Sequence, residues 1–179
     1  MNEILSCIHT RRSIKKYKSG MPSSELLDKI ISAGLDAASG RNKQGAIIVA
    51  VTDKKTRDAL SLTNAEILSK RAAIPGADTD PFYNAPAILV VLADKSVSTS
   101  IYDASLVAGN MMLAAHSLGL GSCWIHRAKE TFELDRWKSL LREIGVVGEY
   151  EGVANVIVGY PACDYPAEKP RNAGRVFKI

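Results

Sequence analysis

The chain has 179 residues, 46% hydrophobic and 23% charged, with a net charge of +4 at pH 7. That length suits one domain, residues 1–179, with a sizeable core, and the modest positive charge is compatible with an anionic ligand without requiring one. Cys7, Cys123 and Cys163 are odd in number, scattered and without CxxC spacing, which argues against a disulfide framework or structural zinc and fits a reducing, cytoplasmic setting.

The first stretch, MNEILSCIHT, lacks the apolar region of a signal peptide. Ile4, Leu5 and Ile8 instead suggest a short helix over Asn2–Thr10. A basic turn follows, with Arg11, Arg12, Lys15, Lys16 and Lys18 around Ser13. Pro22 and Ser23-Ser24-Glu25 mark the next helix start, whose apolar face is Leu26, Leu27, Ile30, Ile31, Ala33, Ala37 and Ala38. Ser39 to Gly45 is a polar turn, and Ala46–Val51 reads as a buried strand. Asp53–Arg71 reads as a charged helix with Leu60, Asn64, Ile67, Leu68 and Arg71 on one side. Prolines, Gly76 and Asp-Thr-Asp make 74–86 a loop, and Ala87–Leu92 is a strongly apolar strand.

The chain is organised around Asp103–Arg127. From Ala104 to His126 it has no Asp, Glu, Lys or Arg. Asp103–Leu118 is rich in Ala, Met and Leu, which favours helix, and Val107, Met111, Met112, Ala114, Ala115 and Leu118 spread apolar surface around most of it. Such a helix needs cover on nearly every side, which points to a second copy of the chain as well as a core. Asn110, His116 and the glycines interrupt it short of the ~20 apolar residues of a membrane span. Gly119 and Gly121 end the helix, and Cys123-Trp124-Ile125 reads as a short buried strand whose end faces a site. Lys129–Ile144 reads as a surface helix on Trp137, Leu140, Leu141 and Ile144, and Val153–Val158 as a strand. A proline-rich segment leads to the extended tail Arg175–Ile179. Helices and strands interleave without strict βαβ rhythm, so the expected class is α+β, with a central mixed or antiparallel sheet flanked by helices.

Four constellations could carry chemistry. Arg11-Arg12-Ser13-x-Lys15 offers guanidinium forks, a hydroxyl and a point charge to a phosphate, and equally reads as a solvated basic turn. Ser39-Gly40-Arg41-Asn42-Lys43-Gln44 offers amides suited to a heterocycle edge, or is an ordinary polar turn. Gly119-x-Gly121 runs from helix into strand, the reverse of a dinucleotide fingerprint, so a Rossmann site is rejected. Lys169-Pro170-Arg171 is a stiffened cationic segment or a solvated tail. His9, His116 and His126 have no metal spacing, so no metal is expected. Apart from Tyr17 the basic turn lacks interleaved aromatics, which argues against nucleic acid.

Taken together, the RRSxKxY start, the A-A-S-x-x-N-x-Q turn, LGLGSCWI after the central helix and the late G-Y-P…K-P-R resemble the FMN-dependent nitroreductase family, in its short form. The resemblance spans nearly the whole chain. It implies that Arg11, Arg12, Ser13 and Lys15 bind the FMN phosphate and ring edge, and that Lys169 and Arg171 close on the phosphate. Trp124, Ile125, His126 and Arg127 would flank the flavin ring through their backbone. Ala38, Ser39 and Gly40 would reach the flavin of the other subunit, with Asn42 and Gln44 in support, and Asn64 would match a ring-edge amide. Gly45-Ala46 departs from the Pro-Trp frequent in the family, which bears on the substrate side.

The apolar helix and the apolar tail residues Val176, Phe177 and Ile179 further suggest a homodimer whose C-terminal strand is exchanged, adding to the partner's sheet. The resemblance implies an FMN oxidoreductase. Its activity would be electron transfer from NADH or NADPH through FMN to a small-molecule acceptor such as a nitroaromatic or quinone, by a ping-pong mechanism. The cofactor would carry the chemistry, with no catalytic side chain. A flavin-binding protein of the same fold, serving dehalogenation, flavin breakdown or non-catalytic binding, is the alternative.

Overall fold

The computed structural model describes residues 1–71 and 80–179. The expected loop at 74–86 lies outside the described residues as far as 79; from Asp80 to Pro86 the chain is irregular, as expected. Four strands form one antiparallel sheet in the order β1 (Ala46–Val51), β2 (Ala87–Asp94), β4 (Tyr150–Gly159), β3 (Gly121–Ile125). The α+β expectation holds, and the sheet is antiparallel; the one parallel element among the described residues is an isolated bridge between Ser13 and Ser122.

β2 is central because it is apolar on both faces. Leu89, Val91 and Ala93 face one core cluster with α2 (Ser24–Leu35) and α4 (Ser100–Ser117). Ile88, Val90 and Leu92 face another with α3 (Lys54–Arg71), α5 (Ala128–Phe132) and α6 (Asp135–Glu143). Each of these Leu, Ile and Val side chains, fully buried, contributes about 1.5–3 kcal/mol. The short helix α1 (Glu3–Thr10) starts on Asn2, whose Oδ1 accepts from Leu5 N–H at 2.9 Å.

α4 begins at Ser100, three residues before the sequence suggested, and its end is set by Gly119 alone. Gly119 sits at φ 74, and Leu120 N–H reaches Ala115 O while Gly119 N–H reaches His116 O. These are the paired bonds of a Schellman cap, which a residue with a side chain would strain. Gly121, expected to end the helix as well, already belongs to β3. Met111 and Ala108 are fully buried against the sheet and α2, but Ile101, Tyr102 and Leu106 form an open apolar stripe.

The single helix expected over Lys129–Ile144 is two. Leu134 is extended, with ψ 136, and separates α5 from α6. In one continuous helix, positions five apart point about 140° away from each other. The break lets both Phe132 and Trp137 enter the same core, their rings 5.9 Å apart.

Candidate active site

Three segments converge at the start of β3. Ile14 is fully buried and its N–H donates to Ser122 O at 3.0 Å. Lys18 N–H donates to Tyr160 O and Ala162 N–H to Lys16 O. The basic turn is thereby tied to β3 and to the segment leaving β4. Beyond it, Tyr165 folds back onto α4, its ring 5.1 Å from His116. Arg11, Arg12, Ser13 and Lys15 then share one opening of about 430 Å³ with Pro166, Ala167, Lys169 and Arg171. The early and late basic residues, more than 150 positions apart in sequence, therefore meet.

Their electrostatics suit an anion. Arg12 is occupied within the chain, donating to the carbonyls of His9 and Arg11 and lying 3.7 Å from Glu168. Arg11 Nη1 is buried with no partner among the described residues. A buried guanidinium nitrogen left unpaired is costly, and a phosphate oxygen would satisfy it. Lys15 Nζ lies 5.3 Å from the centre of the Tyr83 ring, a cation–π contact that turns the ammonium toward the same side as the 80–86 connection.

β3 leads from this opening to a second one. Ser122 and Trp124 point to the α4 face, while Cys123 and Ile125 enter the opposite core. Ile125 can thus serve a ligand only through its backbone. Ser122 Oγ and Trp124 Nε1 are buried without partners among the described residues. From Ser122 to His126 the strand covers roughly 13 Å. At its end Trp124, His126 and Arg127 border a cleft of about 580 Å³ with Ile101 and Ser105 of α4. Arg127 turns the chain in a left-handed conformation, φ 75. Asn64, expected at a ring edge, is fully buried and engages both amide atoms within the chain: Nδ2 donates to His126 O at 3.1 Å, and Oδ1 accepts from Arg127 Nε at 2.8 Å.

The polar turn lines neither opening. Gly40 N–H donates to Asp103 Oδ1 at 3.1 Å, and the Gly40 backbone lies so close to Thr99 that a Cβ would come within 2.4 Å of Oγ1. The turn is thereby fixed on the first turn of α4. Gln44 N–H donates to Ser39 Oγ, and Gln44 Nε2 to Asn42 Oδ1, with Arg41, Asn42 and Gln44 all at φ near 50. Ala38 and Arg41–Gln44 are exposed. Within one chain the turn does not join the basic opening.

A model of the nitroreductase family matches residues 8–160. The chain belongs to the nitroreductase family. An Archaeoglobus fulgidus member with the provisional name NADH dehydrogenase/NAD(P)H nitroreductase is 30% identical, over 99% of this chain and 98% of its own. The FMN reductase [NAD(P)H] of Bacillus subtilis is 28% identical over 96% of this chain and 70% of its own. Among solved structures, a Bacteroides fragilis nitroreductase with bound FMN matches over the whole of both chains, with TM-score 0.88 and 26% identity.

The structure brings the basic residues to one opening and adds at the strand end a side chain that the sequence did not single out, Asn155. It is fully buried on β4, with Nδ2 3.3 Å from His126 O. A lone amide inside the apolar run Val153–Val158 was the available signal, because a buried polar side chain needs a partner. No cluster of metal-ligating side chains occurs among the described residues, and no helix among them is long and apolar enough to cross a membrane.

Proposed function

We propose that this chain is an NAD(P)H-dependent FMN oxidoreductase. The observation that carries the reading is the convergence of Arg11, Ser13, Lys15, Lys169 and Arg171 on one opening in which Arg11 Nη1 is buried and unpaired. The relatives named as FMN reductase and NAD(P)H nitroreductase, and the FMN-bound structural neighbour, support it. Arg11, Ser13, Lys169 and Arg171 hold the phosphate, and the ring lies toward the end of β3. When bound, FMN supplies hydride acceptance from NADH or NADPH and electron delivery to the acceptor.

The residues contribute position and charge. Lys15 offsets negative charge on the ring side of the phosphate, and the backbone at His126–Arg127 donates to the ring edge. No side chain is needed as a general base. Reductant and acceptor, a quinone or nitroaromatic, use one open face in turn, which gives ping-pong kinetics. The whole chain works as one domain within a homodimer, in which the turn Ala38–Gln44 approaches the other copy's flavin. Its three unpaired cysteines suit the cytoplasm.

The purified protein should be yellow, should bind FMN in titration, and should bleach with NADH or NADPH without oxygen. Parallel double-reciprocal lines with a quinone would establish the ping-pong order. Failure to bind saturating FMN refutes the reading.

A further inference from the structure

The His126 carbonyl accepts two hydrogen bonds from buried amides, Asn64 Nδ2 at 3.1 Å and Asn155 Nδ2 at 3.3 Å. Asn64 comes from α3 and Asn155 from β4, and both are fully buried. The orientation of each amide is forced. Turning Asn64 over would set its oxygen against the carbonyl and its NH2 against Arg127 Nε–H. Turning Asn155 over would set two acceptors together. Asn155 Oδ1 nevertheless has no partner among the described residues. An apolar residue there would avoid the cost of a buried, unpaired acceptor, so the value of this side chain lies in its N–H.

The carbonyl of His126 and the N–H of Arg127 belong to one planar peptide group. That peptide is trans, so its N–H points opposite to its C=O. With the oxygen turned inward onto two amides, the N–H is directed away from them. Hydrogen bonds to the oxygen also polarise the group and strengthen the N–H as a donor. The left-handed φ of 75 at Arg127 is a conformation that a non-glycine residue keeps only when its surroundings hold it, and the amide pair with the Arg127 Nε contact does so.

We propose that Asn64 and Asn155 are positioning residues that aim and polarise the His126–Arg127 peptide, making the Arg127 N–H a donor to the flavin ring; this rests on the flavin reading above. Asn64 then acts through the backbone rather than by touching the ring itself.

The test is FMN titration of ¹⁵N-labelled protein, following the Arg127 amide resonance. In the wild type this resonance moves downfield on binding. In Asn155→Ala and in Asn64→Asp, which retains the acceptor for Arg127 Nε, the movement shrinks or vanishes and FMN affinity falls about threefold to tenfold, the loss of one hydrogen bond. Wild-type protein that takes up FMN with the Arg127 amide unmoved overturns the proposal and leaves the flavin reading standing, and needs no variant to fold. Folded variants with the full wild-type movement overturn it as well, since a merely structural role lowers stability without altering that resonance. Absence of FMN uptake by the wild type overturns the flavin reading together with the proposal.

Discussion

Ser13 and Ser122 meet in a single parallel bridge, and directly behind it Ile14 packs onto Gly121. A Cβ on Gly121 would lie 2.8 Å from Ile14 Cβ and Cγ2, closer than packed atoms approach. Gly121→Ala must therefore displace the basic turn from β3. Overpacking of this kind costs about 1–3 kcal/mol, and urea unfolding should show it, together with weakened FMN binding. Gly119→Ala is the contrast. Nothing lies within 4 Å of its Cβ position, but its φ is 74. It should cost roughly 1–2 kcal/mol through backbone strain while leaving FMN affinity close to wild type. Equal losses of affinity in the two variants would contradict this placement of the turn.

The same contrast shows what the sequence could and could not tell. That Arg11, Ser13, Lys169 and Arg171 share one opening was legible because theirs are the residue types that a phosphate calls for. β2 was legible because seven consecutive buried positions, Ala87 to Ala93, leave a continuous apolar run. The break at Leu134 was not, since the apolar stripe alone fits one helix or two. Nor were the left-handed Arg127, Arg41 and Gln44, because only glycine and asparagine advertise positive φ in a sequence. Asn64 stands out in the sequence, but its hydrogen bond to the His126 carbonyl, shared with Asn155, is brought about by topology alone.

The apolar surface left open on one chain argues for a second copy. Ile101, Tyr102 and Leu106 line one side of α4, while Val176, Phe177 and Ile179 are exposed on the tail. β1, with an apolar sequence, pairs on one side only among the described residues, and an edge of this kind invites another strand. We expect a homodimer in which the tail covers this edge of the partner. Met111 cannot test the interface, because it is fully buried in the chain's own core and a charge there would unfold it. Leu106→Asp should instead give a folded monomer with weakened FMN binding, read by light scattering and flavin titration. Deleting Arg175–Ile179 should lower Tm and FMN affinity together. A wild-type monomer that retains flavin at low micromolar concentration would reject the arrangement.

His116, beside Arg11 and Arg12, should make stability depend on pH. Its Nε2 lies 2.8 Å from Thr10 Oγ1, and Nδ1 is buried without a partner among the described residues. Burial, and then the charges of Arg11 and Arg12, push its pKa below the ordinary 6.5. Tyr165, its ring tilted at 58° to that of His116, is a titratable neighbour, and burial pushes its hydroxyl up, away from neutral pH. Above the unfolded pKa of about 6.5 both states are neutral at this site and its stability contribution is complete. As pH falls through that value the unfolded chain takes a proton first, and stability declines until the lower folded pKa is passed. Urea unfolding of FMN-free protein from pH 8 to 5 should show this decline, and His116→Gln should flatten it. A phosphate beside Arg11 and Arg12 offsets their charge, so the decline should also shrink with FMN bound. An unchanged slope in His116→Gln would assign the pH dependence elsewhere.

The decisive prediction concerns the phosphate. A phosphate monoester carries about −1.5 to −2 charge at neutral pH, and Arg11 and Arg171 reach the same opening from opposite ends of the chain. In that opening Arg11 Nη1 is a buried donor without a partner among the described residues, whereas Arg12 is already engaged by two carbonyls and Glu168. Removing a charge-assisted hydrogen bond costs about 1.5–3 kcal/mol, so Arg11→Ala or Arg171→Ala should weaken FMN about tenfold to a hundredfold. Riboflavin lacks the phosphate and should bind the wild type far more weakly. It should also be nearly insensitive to either substitution, because the group that the arginine meets is missing. Arg11→Ala should further stabilise the FMN-free chain or leave it unchanged, since it removes a buried nitrogen that has no partner among the described residues. Titration of both flavins and urea unfolding of the free protein separate the alternatives. If Arg11→Ala weakens FMN and riboflavin by equal factors and destabilises the free chain, Arg11 acts through the fold and not as a phosphate ligand.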